Sequence, residues 1–174
     1  GQDSILYNGR MSRVEAIQNA ANAKVKGVQI GLEIKPGLGF SLVSQYNIQQ
    51  GEEELDNGSI SPSRHAAPNF GTTTLTWAYK NLLLSISSQY SDGKTYEELP
   101  AEEQNKPEIY AIDANKKPYS PSWVIYNVRM QYQISKRWSL NGTIENITDE
   151  RYRPYSSGIV APGRNFVISG AVRW

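Results

Sequence analysis

The chain contains no cysteine, so disulfides, thiol nucleophiles and cysteine-ligated metals are all excluded. That absence suits an oxidising periplasm but does not by itself place the chain in one. Histidine is nearly absent as well: His65 stands alone, and a Ser-His-Asp relay would have to rest on it. Charge of one sign is lacking too, since 18 Lys+Arg face 17 Asp+Glu for a net charge of +1. No basic stripe of the kind that binds nucleic acid is therefore present, and no nucleic-acid partner is expected. No run of about eighteen apolar residues exists, which excludes a transmembrane helix. The chain opens at Gly1 with neither a basic nor an apolar leader region, so the expectation is a mature protein, an internal fragment or a processed product. Phenylalanine is scarce, 3 residues against 11 Tyr and 4 Trp, a bias toward the amphipathic aromatics of membrane interfaces.

A mean hydropathy of −0.55 reads as soluble, but averages hide alternation. A membrane β-barrel alternates lipid-facing apolar with lumen-facing polar residues, so its mean stays low. Seven segments here alternate with period two, the signature of two-faced strands. They run over about Ala23 to Lys35, Gly39 to Gln50, Phe70 to Lys80, Leu82 to Ser91, Ser122 to Ile134, Trp138 to Ile147, and Phe166 to Trp174. The fifth is the clearest: Val124, Tyr126, Val128, Met130, Tyr132 and Ile134 fall on one face, and Asn127, Arg129, Gln131 and Gln133 on the other. Several segments match or exceed the ~9–11 residues a tilted transmembrane strand needs. The polar face is rich in Ser, Thr, Asn and Gln and poor in charge, unlike an ordinary solvent surface.

Connections alternate between short and long. Pro36–Gly39, Lys80–Asn81 and Ser135–Arg137 are minimal turns, whereas 51–69, 92–121 and 148–163 are long loops. Outer-membrane barrels have short periplasmic turns and long extracellular loops. The expected fold is therefore all-β, an antiparallel up-and-down meander of about seven long transmembrane strands, with the three long loops extracellular. Trp77, Tyr79 and Trp138 then form a girdle at the periplasmic rim, with Tyr90, Tyr126 and Phe166 toward the other. A soluble antiparallel sandwich and a small complete barrel of about eight strands are the rival architectures. Residues 1–22 are less legible: Ser12 and Glu15 match a capping box for a helix over Val14 to Ala23, but extended or irregular structure is preferred.

No nucleophile–base pair is visible, so no enzymatic activity, cofactor or metal site is expected. The candidate ligand-contacting residues lie in the loops: Arg64 and His65 in the first, and Arg151, Tyr152, Arg153 and Tyr155 in the third. Arg and Tyr together suit hydrogen bonding and stacking on a polar ligand, and equally suit internal packing of a loop over a barrel mouth. His65 reads first as a plain loop residue and second as an axial ligand for an iron-bearing cargo. The acidic runs Glu52, Glu53, Glu54, Asp56 and Glu97, Glu98, Glu102, Glu103 read as solvated charge clusters. Three Asn-x-Ser/Thr triplets, beginning at Asn57, Asn141 and Asn146, are too short to carry weight as glycosylation sites.

Glu145-Asn146-Ile147-Thr148-Asp149-Glu150-Arg151-Tyr152, then Ala161-Pro162-Gly163-Arg164-Asn165-Phe166 and a terminal Trp174, closely resembles the C-terminal end of TonB-dependent outer-membrane receptors. The Ala23-x-Val25-x-Gly27-Val28 opening of the first strand and Pro121-Ser122-Trp123 before the fifth are similar as well. The resemblance implies a twenty-two-stranded barrel enclosing an N-terminal plug, with residues 1–174 supplying the sixteenth to twenty-second strands. It implies import of a scarce cargo, such as an iron chelate, haem or cobalamin, across the outer membrane of a Gram-negative bacterium with energy from a TonB complex. The plug, the energy-coupling box and the earlier strands are missing from this sequence. The implied partners are the rest of the barrel and its plug, the TonB complex, outer-membrane lipid and the barrel-assembly machinery. That machinery is implied to read Phe166, Ile168, Val172 and Trp174 as a C-terminal assembly signal. A non-transporting binding, adhesion or structural barrel is the alternative function.

Overall fold

The computed structural model describes residues 4–13, 22–55, 57–64 and 66–174. Twelve strands are defined among them: β1 (Ser4–Tyr7), β2 (Arg10–Arg13), β3 (Ala23–Gly37), β4 (Phe40–Glu54), β5 (Ile60–Pro62), β6 (Phe70–Tyr79), β7 (Leu82–Ser91), β8 (Ala111–Ile112), β9 (Pro118–Tyr119), β10 (Trp123–Gln133), β11 (Trp138–Glu145) and β12 (Asn165–Val172). One turn of 3-10 helix covers Tyr96–Glu98. The seven long strands form one antiparallel sheet in the order β12-β11-β10-β7-β6-β4-β3, so neighbours in sequence are neighbours in space. This is the expected meander. Short β5 adds to the distal end of β4, and β1–β2 and β8–β9 are small separate ribbons. Asn8 and Gly9, both left-handed at φ 48° and 77°, close β1–β2 as a two-residue hairpin turn favours. The capping box and helix considered for Val14 to Ala23 lie outside the described residues, save that Ser12 belongs to β2 and Ala23 opens β3.

The alternation read in the sequence becomes a continuous surface because the strand registers keep it in phase. A single row crosses all seven strands as Ile34, Leu42, Leu75, Ile86, Val128, Ile144 and Phe166, each paired with the next. A slip of one residue anywhere would throw the following strands onto the wrong face. The opposite face carries rows such as Ser41, Thr76, Ser85, Arg129 and Thr143. The apolar face stays open: Val28 is 60% exposed, Ile30 54% and Ile168 79%. A soluble sandwich would bury that face against a second sheet, and exposed apolar surface on this scale marks contact with another apolar phase or partner.

Aromatic side chains collect at the two ends of the strands. At the short-turn end Phe40 stacks on Trp77 at 6.1 Å and Trp77 on Tyr79 at 5.5 Å, while Tyr46 meets Tyr90 at 6.2 Å toward the loop end. The turns are tight for identifiable reasons. β3 runs through Pro36 with a register irregularity after Ile34, so the reversal falls at Leu38 and Gly39, both left-handed. A Cβ on Gly39 would stand 2.0 Å from the Ala78 carbonyl oxygen, so no larger residue fits between these two turns.

Buried residues are found above the sheet. Leu99 and Pro100 are fully enclosed, with Ala66 and Tyr110 nearly so, and all four belong to the long loops. Ile125, on the polar face of β10, is buried as well, and so are the loop residues Pro68 and Pro118. The packed core of this chain is a loop core.

Candidate functional site

The third loop leaves β11 through Asn146, whose φ of 47° turns the chain sharply. The Asn146 side chain is nearly sealed, at 2% exposure. Its Oδ1 accepts the Glu150 backbone N–H at 2.9 Å, and its Nδ2 donates to the Glu150 carbonyl at 2.9 Å and the Pro162 carbonyl at 3.3 Å. Its own N–H donates to Asn127 Oδ1 at 2.9 Å, which ties the loop to the polar face of β10. Asp149 Oδ1 accepts the Arg164 N–H at 2.7 Å, and Arg164 Nε donates to the Ile147 carbonyl at 2.8 Å. The motif that carried the family resemblance is thus a clamp that closes the base of loop 148–163.

Loop 92–121 folds back under η1, the Tyr96–Glu98 turn, and inserts Glu103 into the loop core at 0% exposure. The sequence reading took Glu103 for part of a solvated acidic cluster; the structure corrects it. Arg64 Nε pairs with Glu103 Oε1 at 2.8 Å, Ser156 Oγ donates to the same oxygen at 2.8 Å, and the Tyr110 hydroxyl donates to Oε2. Burial, then the bond to Glu103, holds the Tyr110 phenol far above its ordinary range. Burial and the nearby Glu103 charge push the Tyr155 phenol up to about 12. Lys94 lies over the Tyr155 ring at 4.7 Å and donates to the Ala66 carbonyl. Desolvation brings its ammonium below the usual lysine range, against the pull of Glu98 and Glu103.

The Trp123 and Tyr152 rings pack with centroids 4.3 Å apart and a 34° tilt between two recesses. One is a cleft of about 270 Å³ between the second and third loops, walled by Tyr110, Trp123, Arg151, Tyr152, Arg153 and Ser156. The other is a groove of about 460 Å³ on the polar face of the sheet, lined by Ser85, Ser87, Asn127, Arg129 and Glu145 with Tyr152 at its top. Tyr152 borders both, and burial raises its phenol. An aromatic pair beside an exposed Arg151 offers an aromatic surface and a cation.

The loop residues singled out in the sequence fall into two groups. Arg151 and Tyr152 border the cleft, whereas Arg64 is committed to Glu103 and Tyr155 to Tyr110 and Lys94. Arg153 reaches both ways: it borders the cleft while its guanidinium donates to the Glu108 and Ile109 carbonyls at 3.2 and 3.1 Å. His65 lies outside the described residues. Sequence reasoning misses Trp123, Tyr110, Ser156 and Lys94 as site residues; only Trp123, the last residue of the Pro121-Ser122-Trp123 motif, carries any local signal. Among the described residues no group of three or more His, Asp or Glu side chains is placed to hold a metal ion.

No curated protein matches the chain. Among solved structures it is similar to the FrpB iron transporter from Neisseria meningitidis, at 15% identity and a TM-score of 0.67 over 97% of this chain and 25% of that one. It is similar to the copper transporter OprC, at 12% identity and a TM-score of 0.66 over 86% of this chain and 23% of that one. The siderophore receptor PiuA from Acinetobacter baumannii gives 20% identity and a TM-score of 0.58 over 86% and 22%. The chain therefore spans about a quarter of the length of these structures. The model of the family "TonB dependent receptor-like, beta-barrel", whose members are outer-membrane receptor barrels rather than enzymes, matches residues 2–147. This chain belongs to that family, and what it supplies is a stretch of the barrel.

Proposed function

We propose that residues 1–174 form the C-terminal segment of the barrel of an outer-membrane active transporter that takes up a scarce cargo with TonB-derived energy. The plug and the earlier strands belong to the remainder of such a receptor. The observation that carries this reading is the unbroken apolar row across seven strands, opposite a polar, sparsely charged face: lipid outside, an aqueous passage inside. Loops 51–69, 92–121 and 148–163 then stand outside the cell. Cargo meets Tyr152, Trp123 and Arg151 at the mouth of the passage, while Arg64, Arg153 and Tyr155 hold the surrounding loops. His65 joins this site only if the cargo is haem, as an axial ligand. Iron, copper and siderophore specificities among similar structures favour a metal-bearing cargo. Phe166, Ile168 and Val172 on the apolar face of β12, with Trp174 just beyond its end, form the pattern proposed for the barrel-assembly machinery, whose β-augmentation would use the free strand edge.

The test supplies radiolabelled ferric chelates, haem and cobalamin to cells whose sole high-affinity route is the full-length receptor. Accumulation of one of them, abolished by deleting TonB or dissipating the proton-motive force, is the expected result. Surface binding without TonB-dependent accumulation of any probe would instead make this a binding barrel that does not transport.

A further inference from the structure

We propose that Glu103 is a positioning residue that couples the three long loops into one unit and thereby sets the walls of the cleft beneath them. Its three donors come one from each loop: Arg64 from 51–69, Tyr110 from 92–121 and Ser156 from 148–163. Arg64 and Ser156 share the single oxygen Oε1, though they lie on different loops. A fully buried carboxylate persists only while it is paired and hydrogen-bonded. Lifting any one loop would remove a donor and leave the charge under-compensated, so the loops open together. Ionisable neighbours reinforce the arrangement: Lys94 and Tyr155 flank the cluster, and Arg153 fastens loop 148–163 to residues 108 and 109. Two of the three donors, Tyr110 and Ser156, are themselves walls of the 270 Å³ cleft. Glu103 touches nothing that enters the cleft; it acts through them. That this cleft receives cargo rests on the function proposed above, but the coupling does not.

Backbone amide exchange of the full-length receptor in detergent micelles, without cargo, reads the coupling directly. Glu103→Ala should raise exchange at least ~10-fold in all three loops together and leave β6, β7 and β10 unchanged. A rise confined to 92–121 would overturn the proposal. Glu103→Asp, which keeps the charge, should restore part of the protection, whereas Glu103→Gln, nearly isosteric but neutral, should not. Native-like exchange in Glu103→Gln would also overturn it. Should Glu103→Ala fail to assemble, Arg64→Ala and Ser156→Ala supply a double-mutant cycle across two loops. Non-additive exchange in the double variant supports the shared carboxylate, and strict additivity refutes it. None of these readings depends on uptake, so a failed cargo assignment and a failed coupling are told apart.

Discussion

Replacing Asn146 by Ala removes the clamp at the base of loop 148–163 and leaves every strand pairing in place. Three side-chain hydrogen bonds disappear, two to the backbone of Glu150 and one to the Pro162 carbonyl. At about 1 kcal/mol net for each, that is ~3 kcal/mol. Alanine must also hold the φ of 47° that asparagine tolerates, which adds about 1 kcal/mol. The backbone N–H bond to Asn127 survives the substitution in principle, so the local opening energy should fall by ~3–4 kcal/mol. At 1.4 kcal/mol per tenfold, opening of the loop becomes at least ~100-fold more frequent. Trypsin supplies the assay, because the Arg151–Tyr152 bond lies within the clamped loop, whereas Arg153 is followed by Pro154 and is not cut. Cleavage there should accelerate about 100-fold in the full-length receptor, while the heat-modifiable gel mobility of the barrel stays native. Asn146→Gly, which loses the same bonds without the φ cost, should lie about 1 kcal/mol closer to the parent. Cleavage of Asn146→Ala within ~3-fold of the parent would refute the clamp.

The phenols of Tyr110 and Tyr155 are raised, so the stability their neutral forms confer is present below pH 10.0 and is lost as pH rises toward 12. Alkaline absorbance titration should show a late-ionising tyrosine fraction that shrinks in Tyr155→Phe; one homogeneous class near pH 10 would contradict this. Trp123→Ala and Tyr152→Ala should each weaken cargo binding about 5-fold in ligand-binding titrations, stacking on an aromatic being worth ~1 kcal/mol, with assembly unaffected. Deleting Trp174 from the full-length receptor should lower the amount of assembled barrel and raise periplasmic degradation, leaving cargo affinity of the assembled molecules unchanged. Normal assembly by gel mobility would leave Trp174 as an interface anchor alone.

Most of the sheet was legible because each strand alternates between an apolar and a polar face, and that alternation is written at period two. Legibility failed where both faces become polar. Strand β4 continues past Gln50 to Glu54, where the acidic residues read as loop are paired: Glu52 opposite Lys24 on one side and opposite Pro62 on the other. Beyond the apolar band no face has to be greasy, so backbone pairing persists after the pattern stops. Brevity, a separate reason, hides β5, β8 and β9, whose two or three residues carry no period at all. Pro36 was read as a turn residue, yet an edge strand accommodates it, because no described partner asks for its missing N–H on that side.

The site divides along a different line, sequence separation. Asn146 finds its partners at Asn127, Glu150 and Pro162, all within 19 residues, so the whole clamp falls inside one stretch and can be recognised as a motif. Glu103 finds Ser156 at a separation of 53. Its neighbours show how little composition decides: Glu97 meets the exposed Lys117 at 3.0 Å, Glu98 accepts the Thr95 N–H at 2.8 Å, and Glu102 is exposed. Four glutamates within seven residues look alike along the chain, and one of them is fully buried. What selects it is the arrival of a guanidinium and a hydroxyl from two other loops, each brought there by the strands that precede and follow it. The loops could therefore be located from the sequence, and the carboxylate that joins them could not.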